Sequence, residues 1–279
     1  MAAAAELPRS ITLVGAGKMG FALLEGWAAQ GLSGEGVTIV EPQPSPALVS
    51  LAKERGFRLN PENRAPENRA AARALVLAVK PQALDQVAPT IAGEAGADTL
   101  IVSILAGKRV TDLSARLPQA RFFVRAMPNT PAAIGRGITG AFAAPAVDPE
   151  SRALAAALLA AVGEVVWVES EALVDAVTAV SGSGPAYVFY FVECLTRAGV
   201  DAGLPEETAA RLARATVAGA GELLRRSADT TPATLRQNVT SPGGTTAAAL
   251  EVLMANDGLG PLLERAVAAA KRRAGELSG

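Results

Sequence analysis

Short apolar runs recur along the first 168 residues and alternate with amphipathic or alanine-rich segments of helical length. Most of these runs are apolar at nearly every position, which is typical of strands in a parallel sheet covered on both faces. The pattern therefore predicts a doubly wound α/β fold with a mostly parallel sheet. The predicted strands are Ile11–Gly15, Val37–Glu41, Ala74–Val79, Thr99–Leu105, Arg121–Met127, Ile138–Ala143 and Glu164–Val168.

The pattern changes after Ser170, where β-branched runs stop and segments of helical length follow one another. Proline recurs at the expected first turns, where its missing N–H costs no hydrogen bond. We therefore predict an all-α second domain, with the two domains spanning residues 1–169 and 170–279. The predicted helices are Glu171–Val180, Pro185–Asp201, Pro205–Ser227, Thr231–Val239, Thr245–Ala255 and Pro261–Glu276.

Several of these helices are apolar around much of their circumference, as in AYVFYFVECL, residues Ala186–Leu195. A helix that is apolar on more than one face must be buried on more than one face. Six helices in such a short domain provide too little cover for one another. The sequence therefore predicts self-association through this domain, with a dimer as the minimal assembly.

Composition narrows the classes of function. The chain has 279 residues, half of them apolar, which fits two domains with their own cores. A net charge of −1 offers no electrostatic basis for binding nucleic acid or an anionic membrane. The N-terminal segment does not resemble a secretory signal, and no apolar run is long enough to span a bilayer. We expect a soluble, cytoplasmic protein that acts on small molecules.

The chain contains no histidine and only one cysteine, Cys194. A single cysteine rules out an internal disulfide and any multi-thiolate metal site, so we expect no bound metal. Without histidine, catalysis must use a cofactor, carboxylates, lysines, hydroxyls or backbone dipoles. Hydride transfer satisfies this condition, because the cofactor carries the difficult chemistry.

A glycine motif, GAGKMG, follows the first predicted strand directly and opens a helix. Gly15, Gly17 and Gly20 have the spacing that permits a tight turn, close approach of a pyrophosphate and close helix–strand packing. Lys18 and Met19 lie in the first turn of that helix, whose N–H groups can bind phosphate. The alternative is a glycine-rich turn that binds no ligand.

Glu41 ends the second predicted strand, 21 residues after Gly20. A carboxylate at this place can accept hydrogen bonds from the adenosine ribose of NAD and repels a 2′-phosphate. Ser45 is the one nearby residue that we expect to help hold a phosphate. The alternative is a strand-end carboxylate that faces water, so the choice of cofactor stays open and leans towards NADH.

Further cofactor contacts are expected beyond the carboxyl ends of the other strands, where ligands of open α/β sheets bind. Lys80 is better explained as a phosphate or carboxamide contact, or as a surface lysine, than as a catalytic amine. The predicted contacts in this group are Ala78, Val79, Lys80, Pro81, Ala106, Gly107, Met127 and Asn129.

The segments GAGKMG, AVKPQ, RAMPNTPA, VSGSGPAYVF and SPGGTT occur in this order, and the chain resembles pyrroline-5-carboxylate reductases from about Ser10 onwards. The resemblance implies a Rossmann-type N-terminal domain and a helical domain that interlocks with a partner subunit, with larger assemblies built from such dimers. It implies reduction of L-1-pyrroline-5-carboxylate to L-proline by NADPH or NADH, the final step of proline biosynthesis.

The resemblance implies that the segment SPGGTT binds the substrate. The substrate carboxylate is expected on the backbone N–H groups around Gly244, Thr245 and Thr246, and the resemblance makes Thr246 the candidate catalytic partner of the ring nitrogen. The alternative is a capped helix after a turn, because threonine is an ordinary N-cap. The predicted substrate contacts are Asn238, Ser241, Gly243, Gly244, Thr245 and Thr246.

Two departures from the family bear on the cofactor. Glu41 and Pro42 stand where many relatives have a segment compatible with a 2′-phosphate, so a preference for NADPH does not carry over. Asn63 resembles a position that contacts the ribose, but the tandem duplication PENRAPENRA makes this alignment ambiguous.

Two other readings compete. The β-hydroxyacid dehydrogenases share the glycine motif and a helical domain, but they rely on a lysine in that domain, and here the first is Lys271. A nucleotide sensor on the same fold would bind cofactor without turnover. The intact SPGGTT segment argues against a sensor, which has no use for a carboxylate site.

Overall fold

The structure is a computed structural model that describes residues 10–32, 34, 36–61 and 72–278. These residues form two compact units: unit 1 contains the described residues up to Ser183 together with residues 270–278, and unit 2 is Gly184–Ala269. Along the chain, this division differs from the predicted domain boundary between residues 169 and 170. The assignment of domains 1–169 and 170–279 stays a prediction.

Unit 1 is built on one eight-stranded sheet with the order β3-β2-β1-β4-β5-β6-β7-β8. All neighbouring strands run parallel except β6 and β7. The predicted doubly wound, mostly parallel sheet is confirmed. The strands are β1 Ile11–Val14, β2 Val37–Val40, β3 Arg58–Leu59, β4 Ala74–Leu77, β5 Leu100–Ser103, β6 Phe122–Met127, β7 Gly137–Ala143 and β8 Gly163–Trp167.

Helices cover both faces of this sheet, because the strands are apolar on both sides. In β1, Leu13 packs with α1, α2 and α5, whereas the next residue, Val14, packs with α3 and α4 on the opposite face. The helices of unit 1 are α1 Lys18–Ala29, α2 Pro46–Arg55, α3 Leu84–Ile91, α4 Val110–Arg116, α5 Pro149–Ala160 and α6 Leu173–Val177. A π-helical turn, Thr178–Gly182, continues α6.

Unit 2 is helical, as the pattern predicts. Gly199 lets α7 and α8 approach closely, since a Cβ on this residue would lie 3.1 Å from the Cβ of Ala209. The helices are α7 Gly184–Asp201, α8 Glu206–Arg226, α9 Pro232–Asn238 and α10 Thr245–Leu253. The last helix, α11 Leu259–Ser278, begins in unit 2, and its residues from 270 onwards belong to unit 1. Within the described ranges, no helix is long and apolar enough to span a membrane.

Candidate active site

The three glycines of the loop between β1 and α1 have three different environments. Gly15 has φ +90° and packs against the segment that follows β4, because a Cβ there would lie 2.7 Å from the backbone of Ala78 and Val79. A Cβ on Gly20 would collide with the carbonyl oxygen of Gly15. A Cβ on Gly17 would meet no atom within 4 Å among the described residues. Only Gly17 therefore leaves open space, which is what close approach of a pyrophosphate requires.

The first turn of α1 is equipped to bind an anion. Gly17 is the N-cap residue and has no side chain to satisfy the first N–H groups of the helix. The N–H groups of Lys18, Met19 and Gly20 have no acceptor within the helix, and they carry the positive end of its dipole. The side chain of Lys18 is exposed, whereas Met19 packs against the core. This turn can therefore hold a dinucleotide pyrophosphate.

Glu41 follows β2 and turns its carboxylate towards the glycine loop. Its Oε2 accepts a hydrogen bond of 2.8 Å from the N–H of Ala16, and its Oε1 accepts one of 3.0 Å from the N–H of Gln43. A carboxylate accepts about four hydrogen bonds, so each oxygen can still receive one from a ligand. The alternative of a strand-end carboxylate that only faces water does not describe this geometry.

Sequence reasoning missed Asn60, which positions Glu41. The amide of Asn60 donates a 2.7 Å hydrogen bond to the carbonyl oxygen of Glu41 and accepts one of 2.9 Å from its N–H. Asn60 is the only non-glycine residue with positive φ in the described part of the chain, at 45°. Asparagine tolerates this conformation better than most residues, but a single asparagine does not indicate a contact with Glu41.

Ser45 and Asn63 are two further residues of this region that were predicted to contact the cofactor. The hydroxyl oxygen of Ser45 accepts a 3.2 Å hydrogen bond from the N–H of Leu48 and caps α2, and its proton is donated to none of the described residues. A phosphate contact of Ser45 therefore stays a prediction. Asn63 lies outside the described residues.

The remaining predicted cofactor residues lie where β4, β5 and β6 end. These strands run parallel to β1 and β2, so their carboxyl ends share one edge of the sheet. Ala78 and Val79 pack against Gly15, Lys80 is exposed, and Pro81 begins a short 3-10 turn. After β5, Ala106 is exposed and Gly107 has φ +70°.

At the end of β6, Met127 is half-buried and Asn129 is buried. The side-chain oxygen of Asn129 accepts a 2.9 Å hydrogen bond from the N–H of Ile138 and so fixes the start of β7. A cofactor contact by Asn129 stays a prediction, and only its amide nitrogen is left to make one.

In unit 2, SPGGTT forms a tight turn followed by α10. The N–H of Gly244 donates a 3.0 Å hydrogen bond to the carbonyl oxygen of Ser241. Pro242 at the second position and Gly243 with φ +69° at the third are typical of a type II turn. The turn requires a glycine at residue 243, because other side chains are strained at that φ.

α10 begins with free N–H groups. Its N-cap is Gly244 and no side chain caps it, so the alternative of a threonine N-cap is wrong. Thr245 and Thr246 are the first two residues of the helix, and their hydroxyls form no hydrogen bond with the described residues. Thr246 is half-buried, and Asn238 is the exposed last residue of α9. The arrangement can bind a small carboxylate.

Two family models match the chain. Residues 171–277 match "Pyrroline-5-carboxylate reductase dimerisation", and residues 10–107 match "NADP oxidoreductase coenzyme F420-dependent". A pyrroline-5-carboxylate reductase from Pseudomonas aeruginosa is 42% identical over 269 residues, which cover 96% of each chain. The chain belongs to the pyrroline-5-carboxylate reductase family. It is an oxidoreductase that uses a nicotinamide cofactor. The reaction of this family is the reduction of pyrroline-5-carboxylate to proline.

Solved structures agree with this membership. A pyrroline-5-carboxylate reductase from Coxiella burnetii superposes with a TM-score of 0.87, at 36% identity, over 97% of this chain and 98% of that one. The enzyme from Plasmodium falciparum, solved with NADP bound, gives a TM-score of 0.78 at 28% identity over 97% and 98%. The dimerisation model on residues 171–277 also supports the predicted self-association.

Proposed function

We propose that this chain reduces L-1-pyrroline-5-carboxylate to L-proline with NADH as its preferred reductant. The observation that carries the preference is the carboxylate of Glu41, held by the N–H groups of Ala16 and Gln43 beside the glycine loop. A fixed negative charge there accepts hydrogen bonds from ribose hydroxyls and repels a 2′-phosphate. The next residues, Pro42 to Pro44, offer no cation to offset that repulsion.

The residues of unit 1 fit a nicotinamide dinucleotide along the carboxyl edge of the sheet. The pyrophosphate lies on the N–H groups of α1, where Gly17 leaves room. The nicotinamide end lies near Ala106, Gly107 and Met127, since the three residues follow or end strands β5 and β6 at this edge. When bound, the cofactor supplies the hydride that the imine carbon accepts.

The residues of unit 2 bind and orient the substrate. Its carboxylate accepts hydrogen bonds from the free N–H groups of Thr245 and Thr246, with Ser241 and Asn238 at the border of the pocket. Gly244 lies beside the carboxylate, and its own N–H stays bonded to the carbonyl oxygen of Ser241. The hydroxyl of Thr246 forms a hydrogen bond with the ring nitrogen. A cyclic imine with a protonated nitrogen is already electrophilic, so the protein needs orientation and exclusion of water more than a strong acid. The absence of histidine is consistent with this chemistry.

The assembly is a homodimer with interlocked helical domains, from which a larger assembly can be built. Apolar side chains that remain exposed on α7, such as Phe189 and Tyr190, support a second subunit as their cover. We place the reaction in the cytoplasm, where reduced nicotinamide cofactors are supplied.

Turnover with pyrroline-5-carboxylate tests the cofactor assignment. The oxidation of each cofactor is followed by its absorbance, and we expect a higher kcat/KM with NADH than with NADPH. Glu41→Ser removes the charge, and we expect it to shift the ratio of the two kcat/KM values towards NADPH. A ratio that stays unchanged in this variant places Glu41 outside the ribose site, and binding of both cofactors without turnover contradicts the proposed reaction.

Thr246→Ala tests the substrate assignment. Loss of a hydrogen bond to a charged group costs about 10- to 100-fold, which we expect in kcat/KM for pyrroline-5-carboxylate. Thr245→Ala is the matched control, because its proposed contribution is a backbone N–H that alanine keeps. The assignment is wrong if Thr246→Ala instead weakens binding of the cofactor, or if both variants lose the same activity.

A further inference from the structure

Arg125 is a buried charge that the proposed function does not use. It lies on β6 two residues before Met127, and only 3% of its side chain is exposed. A buried guanidinium is unfavourable unless charged and hydrogen-bonding partners surround it. The residues around Arg125 should therefore show why a strand of the sheet carries an arginine.

Its three partners come from two distant parts of the chain, both in unit 1. One Nη of Arg125 lies 3.2 Å from a carboxylate oxygen of Asp175 on α6 and 3.3 Å from the hydroxyl oxygen of Ser278. The other Nη lies 3.6 Å from Oε1 of Glu171. The hydroxyl of Ser278 is also 3.3 Å from Asp175. Arg125 thus joins the segment before α6, α6 itself and the last residue of α11.

Two of these segments hold the loop between β5 and α4. The same Oε1 of Glu171 accepts a 2.7 Å hydrogen bond from the N–H of Val110, the first residue of α4. Gly107, in the middle of the loop, packs against Leu277, since a Cβ there would lie 2.6 Å from the carbonyl oxygen of Leu277. The loop is therefore anchored by Glu171 at its end and by the terminal residues of α11 at its middle.

We propose that Arg125 is a positioning residue for the nicotinamide end of the cofactor site. Through Glu171 and Ser278 it fixes the β5–α4 loop, and so sets where Ala106 and Gly107 meet the ring. This inference rests on the proposed assignment of Ala106 and Gly107 to the cofactor. Small misplacements of a reacting group are costly to the chemical step, so the loop's position should govern kcat as well as cofactor affinity.

Ser278→Ala is the mildest test, because it removes one contact from Arg125 and leaves the buried charge paired with Asp175. We expect the KM for NADH to rise and kcat to fall, with a combined effect of about 3- to 10-fold on kcat/KM. The KM for pyrroline-5-carboxylate should change less than twofold. Ser114→Ala is the matched control. The hydroxyl of Ser114 donates a helical hydrogen bond to the carbonyl oxygen of Thr111, as that of Ser278 does to Ala274, but Ser114 is not among the partners of Arg125.

Arg125→Lys keeps the charge but loses the planar fork that reaches several partners at once. We expect a larger effect of the same kind, about 10-fold or more in kcat/KM. Arg121→Lys is its control, because Arg121 directly precedes the same strand and pairs with Asp98 at the exposed surface. Thermal unfolding of each variant defines a temperature at which it is fully folded, and the kinetics are measured there.

Ala106→Val separates this inference from the assignment on which it rests. The side chain of Ala106 is exposed, so added bulk is tolerated by the fold and reports on contact with the cofactor. If Ala106→Val leaves the KM for NADH unchanged, the loop is not part of the cofactor site and the assignment fails. Suppose instead that Ala106→Val raises the KM for NADH, while the Ser278→Ala and Arg125→Lys variants are folded and keep wild-type kinetics. Arg125 then serves stability alone, and the inference is overturned.

Discussion

Units 1 and 2 bury their apolar side chains to very different degrees. The largest fully buried side chains, among them Trp27, Leu23 and Leu75, all belong to unit 1. In unit 2, α7 has no buried residue at all, and the buried positions of α8 are the small residues Ala209 and Ala213. Unit 1 therefore completes its core with its own residues, whereas unit 2 leaves apolar surface uncovered.

The difference follows from the two kinds of hydrophobic pattern. Strands of unit 1 alternate their side chains between two faces, and helices from the same unit cover each face. Several helices of unit 2, α7 among them, are apolar around much of their circumference, and Phe189 of α7 is still 63% exposed. Exposed apolar surface of this extent marks an interaction site, in agreement with the dimerisation model that matches residues 171–277.

The largest expected effect comes from breaking this interface. We expect Val188→Asp on α7 to raise the dimer dissociation constant about 100-fold or more, because an unpaired charge is costly in an apolar interface. The resulting monomers should lose turnover. Light scattering coupled to size exclusion, with activity measured on the same fractions, checks both expectations.

Val49→Asp on α2 of unit 1 is the matched control, since Val49 and Val188 are both 46% exposed. We expect it to leave assembly and turnover unchanged. A fully dimeric, active Val188→Asp variant, or an equal loss in both variants, would falsify the contrast between the two units.

The next largest effect comes from substitutions in the glycine loop of unit 1. Gly20→Ala adds a methyl group that collides with the carbonyl oxygen of Gly15, and we expect it to destabilise the protein by about 1–3 kcal/mol. Gly17→Ala adds the same group in open space, so it should preserve Tm but raise the KM for NADH. Thermal unfolding and steady-state kinetics distinguish the two, and equal losses of Tm would contradict the assigned roles.

The smallest effect concerns a surface charge cluster of unit 2. Arg225 and Arg226 hydrogen-bond the carboxylate of Glu222 and lower its pKa from 4.5 to about 2. Because its pKa is lower in the folded state, the ionised carboxylate of Glu222 stabilises the folded state above pH 4.5. This contribution is lost as the pH falls towards 2.

Glu222→Gln should therefore lower Tm at neutral pH. The effect should be small because the cluster is exposed to solvent, and the difference from wild type should vanish near pH 2. Tm measured across this pH range checks the sign. A difference that grows on acidification would show that Glu222 is not stabilised by the two arginines.

The elements of the fold were largely predictable, and the misses have physical reasons. The seven predicted strands are present because each is a mostly apolar run of strand length. β3 was missed because two residues, Arg58 and Leu59, are too few to show a period. The turn at Gly243 and the glycine loop were predictable because their backbone conformations depend on local residue type.

The parts of the candidate site that depend on long-range contacts were not predictable. The pairing of Asn60 with Glu41 joins residues 19 positions apart, and that of Arg125 with Ser278 joins residues 153 apart. No periodic pattern or motif encodes such contacts. They form only when the sheet and the end of α11 are assembled.

The sequence by itself determined the class of each element, the glycine loop, the turn at SPGGTT and the need for a partner surface, because all of these depend on residue type and spacing. Only the tertiary structure decided which way the carboxylate of Glu41 turns, which residue caps α10 and which groups surround Arg125. Side-chain partners are chosen by the three-dimensional packing of segments that are distant along the chain, and hydrophobic periodicity carries no information about that choice.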